Sequence, residues 1–225
     1  MCCSVLIASA SLFLLASGKS TFVFSPDGRF VGATETSSRT LVAPEGSSGL
    51  KTIAGNLSSY KDAKYFSVFG NTIAQGGSNY PFQEWLAEAF TPTADASVTK
   101  VEVSVGRLSG TTGVEVALYS DAGGIPGTLI KSFHVSSLPT YGQCCALASA
   151  TDKTGIPVRG GTQYWLVVST TAKDTDLYAW AFNSTNMTPQ LNAYWCEGSS
   201  TYCGTNSGKW VANSYVQWGY AVLGK

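Results

Sequence analysis

The sequence predicts an all-β chain folded as an antiparallel sandwich, and three observations carry that expectation. Three short runs between Val98 and Val135 alternate apolar and polar residues, as consecutive antiparallel strands of a half-buried sheet do. Glycine-rich breaks separate the runs, and 24 glycines with abundant Ser and Thr supply turns along the chain. No stretch shows a convincing amphipathic-helix period.

The chain divides into three parts. Met1 to Gly18 holds an apolar run from about Val5 to Ala16 with small residues at Ala16 and Gly18, and reads as a signal peptide cleaved near Gly18/Lys19 although no Lys or Arg precedes the run. That run is short for a membrane span. Residues 19–50 form a flexible segment or a small hairpin turning at Pro26, Asp27 and Gly28. Residues 51–225 are left as one sandwich domain, a size that one core serves.

Within that domain, "FQEWLAEAF" reads as a strand with Leu86 and Phe90 facing away from Trp85, Ala87 and Ala89, ended by Pro92. Val101, Val103 and Val105 then oppose Lys100, Glu102 and Ser104, and Val114, Val116 and Leu118 repeat the pattern. The break "DAGGIPG" predicts a type II turn with Pro126 at its second position and Gly127 at positive φ. A third strand places Leu129, Phe133 and Val135 on one side, and "QCCALASA" follows as a short strand. "YWLVVS" is apolar on both faces, like a central strand, with "DLYAWAFNS" expected as its antiparallel neighbour. In the last strand Val216, Trp218, Tyr220 and Val222 alternate with Gln217, Gly219 and Ala221.

The segments "EAFTPTADASVTKVEVSVGRLSGTTGVEVALYSDAGGIPGTLI" and "GTQYWLVVST" resemble exported bacterial β-sandwich domains of the choice-of-anchor type, from about Gln83 to Val222. The resemblance implies a jelly-roll or galactose-binding-like sandwich of mostly unknown function. Some members of that group carry a sorting tail, whereas this sequence ends "YAVLGK".

Charge excludes some partners. With 14 basic and 14 acidic residues the net charge is zero, so neither nucleic acid nor an anionic membrane surface is expected to bind. Behind the leader, Cys144, Cys145, Cys196 and Cys203 remain. Cys196 and Cys203 flank a short loop and are the favoured disulfide, which leaves the adjacent pair bridged vicinally, reduced or paired elsewhere. Their spacings lack paired C-x-x-C geometry, so zinc is not expected.

Catalysis finds little support. His134, the one histidine, lies in a strand without a G-x-S-x-G elbow, and reads as an outward strand residue. Glu84 with Glu88, and Asp174 with Asp176, do not single out a glycosidase pair. Asp121, Asp152, Asp174 and Asp176 offer oxygen ligands for calcium, but no D-x-D-x-D-G loop, and solvated turns are the simpler account. No cofactor or metal is expected.

The aromatic residues of the last third are the functional lead. Trp180, Tyr194, Trp195, Tyr202, Trp210 and Trp218 are dense there, and exposed rings stack on apolar faces of sugars. Alternation assigns Trp218 to the core and leaves Tyr194, Trp195, Tyr202 and Trp210 around the Cys196–Cys203 loop as the candidate binding residues, with Asn183, Asn192, Asn206 and Gln190 as hydrogen-bonding neighbours. The expectation is a secreted or extracytoplasmic, non-catalytic module that binds carbohydrate or another surface polymer. The alternative is a structural or adhesion protein of the cell surface or matrix.

Overall fold

The computed structural model describes residues 19–24, 30–36, 49–57, 70–76, 81–141, 147–171, 176–182, 190–214 and 217–225. Its strands are β1 (Lys19–Phe24), β2 (Phe30–Thr36), β3 (Lys51–Gly55), β4 (Gly70–Gln75), β5 (Phe82–Phe90), β6 (Ala96–Val103), β7 (Val105–Ser109) and β8 (Val114–Asp121). They continue as β9 (Pro126–Val135), β10 (Ala148–Val158), β11 (Tyr164–Ser169), β12 (Leu177–Ala181), β13 (Asn192–Gly198), β14 (Lys209–Asn213) and β15 (Tyr220–Gly224). One helical turn, α1 (Ser200–Cys203), precedes a 3-10 turn at Gly204–Asn206. Among the described residues no helix is long and apolar enough to cross a membrane.

Two sheets pack as an all-β sandwich. The larger follows the order β2-β1-β4-β5-β11-β8-β9, with β13 and β14 added beside β5, and β12 and β7 beside β4; the smaller runs β10-β6-β15-β3. Side chains of period two from both layers meet between them. Leu86, Leu118, Leu166, Val116 and Val168 of the large sheet face Val101, Val103, Ile156, Val158 and Val222 of the small one in a single cluster. The N-terminal strands β1 and β2 pair as an antiparallel hairpin and join the large sheet by one parallel bridge, Phe24 to Asn71. The expected hairpin turn at Pro26, Asp27 and Gly28, the leader, and Cys144 and Cys145 lie outside the described residues.

The segment after Val98 departs in part from its sequence reading: β8 and β9 pair as expected, but the run from Val98 to Val105 does not lie beside them. β6 belongs to the small sheet, paired with β10 and β15, whereas β7 and β8 belong to the large one. Ser104 is the crossing point. Its backbone N–H donates to Gly219 O at 2.9 Å, its carbonyl accepts from Ala181 N at 3.0 Å, and its hydroxyl lies 2.9 Å from Ala181 O and 3.1 Å from Gly219 O. A buried polar residue so satisfied lets one strand change layers without orphaned backbone groups. Trp180 and Trp218 stack beside it, centroids 5.4 Å apart, with the Trp180 indole N–H also donating to Gly219 O.

Other expectations are corrected locally. The turn after β8 is formed by Gly123 and Gly124, at φ of 74° and 90°, while Pro126 and Gly127 already belong to β9. Asp121 closes that turn by accepting from the N–H groups of Gly123 and Gly124, an Asx-type arrangement that offsets the need for Pro-Gly geometry. A bulge then shifts the β8–β9 register, so Phe133 and Val135 oppose core residues Val116 and Val114 while Leu129 opposes Tyr119 on the other face. The segment DLYAWA is not the neighbour of β11, whose edges are taken by β5 and β8; β12 pairs with β4 and β7 instead. Of the strand expected at "QCCALASA", Ala148, Ser149 and Ala150 open the longer β10, which carries its own bulge between Thr151 and Ile156, while residues 143–146 lie outside the described residues. In the last segment β14 and β15 are separate strands, and Gln217 and Ala221 are buried along with Trp218, Tyr220 and Val222. Val216 lies outside the described residues.

Both faces of β11 are buried as the sequence indicated, and Leu166 sits between Leu118 and Glu88 with no exposed surface. Leu166→Ala is therefore expected to cost about 2–5 kcal/mol in chemical denaturation. Leu129→Ala, at a site 49% exposed, is expected to stay within about 0.5 kcal/mol.

Candidate tryptophan platform

Strand β5 presents Leu86, Glu88 and Phe90 to the interior, so Gln83, Trp85, Ala87 and Ala89 point to the opposite face of the large sheet. Antiparallel pairing places Trp195 of β13 directly beside Trp85, and Trp210 of β14 directly beside Trp195. Three indoles from distant parts of the chain thus form one row across three strands. The Trp85 and Trp195 rings lie 6.0 Å apart at 24°, and Trp195 and Trp210 lie 6.0 Å apart at 67°. All three are half-buried. The indole nitrogens of Trp85 and Trp195 have no hydrogen-bond partner among the described residues.

The rows on either side differ in character. Toward one end Gln75, Gln83 and Glu197 are aligned, an amide and carboxylate margin whose Glu197 is exposed. Toward the other, Ala87 and Ala193 are paired and buried, with Trp165 and Val167 completing an apolar cluster against which Trp210 and Leu191 pack. Trp165 is fixed by its own N–H, which donates to Asp121 at 2.8 Å. Desolvation raises the Asp121 pKa, but hydrogen bonds led by Trp165 and the Gly124 N–H outweigh it and hold the carboxyl below its ordinary value.

The link from β13 to β14 is stapled. Cys196 and Cys203 form the expected disulfide, seven residues apart, with α1 inside the loop. Loop entropy sets its stabilisation at about 2.5 kcal/mol. Gly208 N–H donates to Cys196 O at 2.8 Å, and Ser207 Oγ bonds both the N–H and the carbonyl of Gly198. These contacts pin the β13–β14 register that aligns Trp195 with Trp210.

Of the four residues the sequence selected, the structure brings Trp195 and Trp210 together and separates Tyr194. Neighbouring strand residues face opposite ways, so Tyr194 pairs with Leu86 and Val211 and packs on the core. The Tyr202 side chain lies outside the described positions, as does Asn183. Trp180 and Trp218 are core residues, Asn192 is buried, and Asn206 is exposed in the 3-10 turn. Sequence reasoning missed Trp85 as a site residue. Its outward parity was readable in "FQEWLAEAF", but its partner across the sheet was not.

The remaining candidates have structural explanations. His134 is exposed, with Nδ1 2.8 Å from Glu115 Oε1, while the Ser132 hydroxyl donates to the other Glu115 oxygen at 2.6 Å rather than to the imidazole. Asp152 accepts from the Thr154 hydroxyl and N–H and from Gly155 N–H, bonds that hold its carboxyl down at about 2. Asp176 is buried, accepting from Thr112 N–H at 2.7 Å and from the Tyr178 hydroxyl. Asp174 lies outside the described residues. Among the described residues no three His, Cys, Asp or Glu side chains gather where a metal could be held.

Glu84 and Glu88 both face the interior. Glu84 accepts from Thr72 Oγ1. Glu88 is fully buried, and neither oxygen makes a well-formed hydrogen bond. Burial pushes its pKa well above the ordinary carboxylate value, with the Trp218 backbone the one group drawing it back down. No protein-family model matches the chain, no characterised protein matches it in sequence, and no solved structure matches it in fold.

A carboxyl whose pKa is raised on folding stabilises fully below its unfolded pKa and loses that contribution as pH rises toward the folded value. Relative to Glu88→Gln, the native protein is expected to lose stability above about pH 4.5, by up to about 1.4 kcal/mol per pH unit until the folded pKa is passed. Denaturation of both proteins across pH 4–9 measures the difference; parallel curves would contradict it.

Proposed function

We propose that this protein is an exported, non-catalytic β-sandwich module that binds a carbohydrate polymer along the row Trp85, Trp195 and Trp210. The supporting observation is the row itself. Three half-buried indoles on one sheet face, two with unpartnered N–H groups, sit beside the amide and carboxylate margin of Gln75, Gln83 and Glu197. Aromatic rings contribute apolar surface to the C–H faces of sugars, and amides with carboxylates bond their hydroxyls. The chain's disulfide is of the kind that persists outside the reducing cytosol, in keeping with an extracytoplasmic location.

A second reading, a surface or matrix protein making protein contacts, has its own observation. The edge strand β9 ends the large sheet and carries Leu129 and Ile130, 49% and 40% exposed, the large apolar residues most open to water among those described. An edge of this kind accepts another strand.

Pull-down with insoluble and soluble polysaccharides tests the first reading. Trp195→Ala is expected to weaken binding at least tenfold, about 1.4 kcal/mol, and His134→Ala to leave it unchanged. Absence of binding to every polymer, together with concentration-dependent assembly abolished by Leu129→Lys, would favour the second.

A further inference from the structure

A pocket of about 290 Å³ opens at the mouth between the two sheets, lined by Phe90, Gln163, Gln190 and Leu191 on the large-sheet side and by Gly55 and Tyr220 on the small-sheet side. The residues that shape it are held in place. Phe90 stacks on Tyr164, centroids 5.8 Å apart, and Tyr220 is buried with its hydroxyl directed to Ala89 O. Gly55 is tolerated only as glycine, since a Cβ there would lie 2.7 Å from Tyr220 O at a φ of 145°. Gln163 donates through Nε2 to Asp121 at 2.6 Å, which leaves its carboxamide oxygen as an acceptor. The Gln190 carboxamide oxygen is buried and has no partner.

The wall thus offers two carboxamides and the Thr91 hydroxyl, groups that both donate and accept, with two aromatic rings and no charged side chain. An ion gains nothing from such a lining, because an uncompensated charge is costly to desolvate. An apolar ligand would take water from the Thr91, Gln163 and Gln190 side chains without replacing its hydrogen bonds. The volume lies at the lower end of small-molecule sites, room for one ring and not a chain. We propose that this mouth is a second binding site, for a single uncharged polyhydroxylated ring of hexose size whose hydroxyls bond the Gln163, Gln190 and Thr91 side chains and whose apolar face lies on Phe90 and Leu191. The site does not share the tryptophan row, and it stands or falls independently of polymer binding there.

The test is a nitrogen-15 NMR titration of the whole protein with methyl β-glucoside, methyl β-galactoside and myo-inositol, and with glucuronate as the charged control. At least one neutral probe is expected to shift the side-chain amide signals of Gln163 and Gln190 with a dissociation constant on the order of 1 mM, what a dozen non-hydrogen atoms deliver at the efficiency of small ligands. Glucuronate is expected to bind at least tenfold more weakly, Gln190→Leu to weaken the neutral probe at least tenfold, and Trp195→Ala to change nothing. No shift at these signals with any neutral probe at roughly 100 mM, a hundredfold over that constant, would overturn the proposal. Shifts confined to Trp85, Trp195 and Trp210 would overturn it equally while leaving the polymer reading intact. The native map places the ligand even where Gln190→Leu does not fold.

Discussion

The pairing of Trp85 with Trp195 across β5 and β13 is the constraint on which both core and platform depend. Side chains alternate along a strand, so a slip of one residue would turn Trp195 inward and bring Tyr194 and Cys196 to the outer face. That exchange would break three things together: the packing of Tyr194 on the core, the disulfide to Cys203, and the row of indoles. The register is held from both sides. Leu86, Glu88 and Phe90 are buried beneath it, and the stapled loop with its Gly198, Ser207 and Gly208 bonds limits where β14 begins.

Buried polar groups locate the turns and crossings around this frame. Ser104 bonds backbone from two other segments where the chain changes layers, and Asp176 with Tyr178 ties the β7–β8 connection through the Thr112 and Gly113 N–H groups. Gly110 is obligatory beside that aspartate, since a Cβ would lie 1.9 Å from its carboxyl oxygen at a φ of 77°. Glu88 is the exception, a carboxyl in the interior without well-formed bonds.

The large sheet is apolar on both faces across β5, β11 and β13, which is unusual for a layer that needs only one buried side. One face meets the small sheet. The other buries Ala87, Ala89 and Ala193 with Trp165 and Val167 beneath Tyr119, Leu191 and Trp210, and Ala89 and Leu191 also line the mouth pocket. Polymer binding and single-ring binding, as proposed, would occupy neighbouring parts of one molecule without shared ligand contacts.

Much of the fold was legible in the chain alone. Alternation in "FQEWLAEAF" determined which side chains share a face, the apolar run "YWLVVS" marked a strand buried on both, and the short spacing of Cys196 and Cys203 determined the staple, because all are local properties of period and loop length. Local pattern carries no information on which strand pairs with which. That is why the β6–β7 layer change at Ser104, the placement of β12 beside β4, and the bulge that turns Leu129 outward were decided by tertiary structure. For the same reason Trp195 and Trp210 could be chosen from sequence as nearby rings, while Trp85, more than a hundred positions away, joined them only when strand pairing set the three side by side.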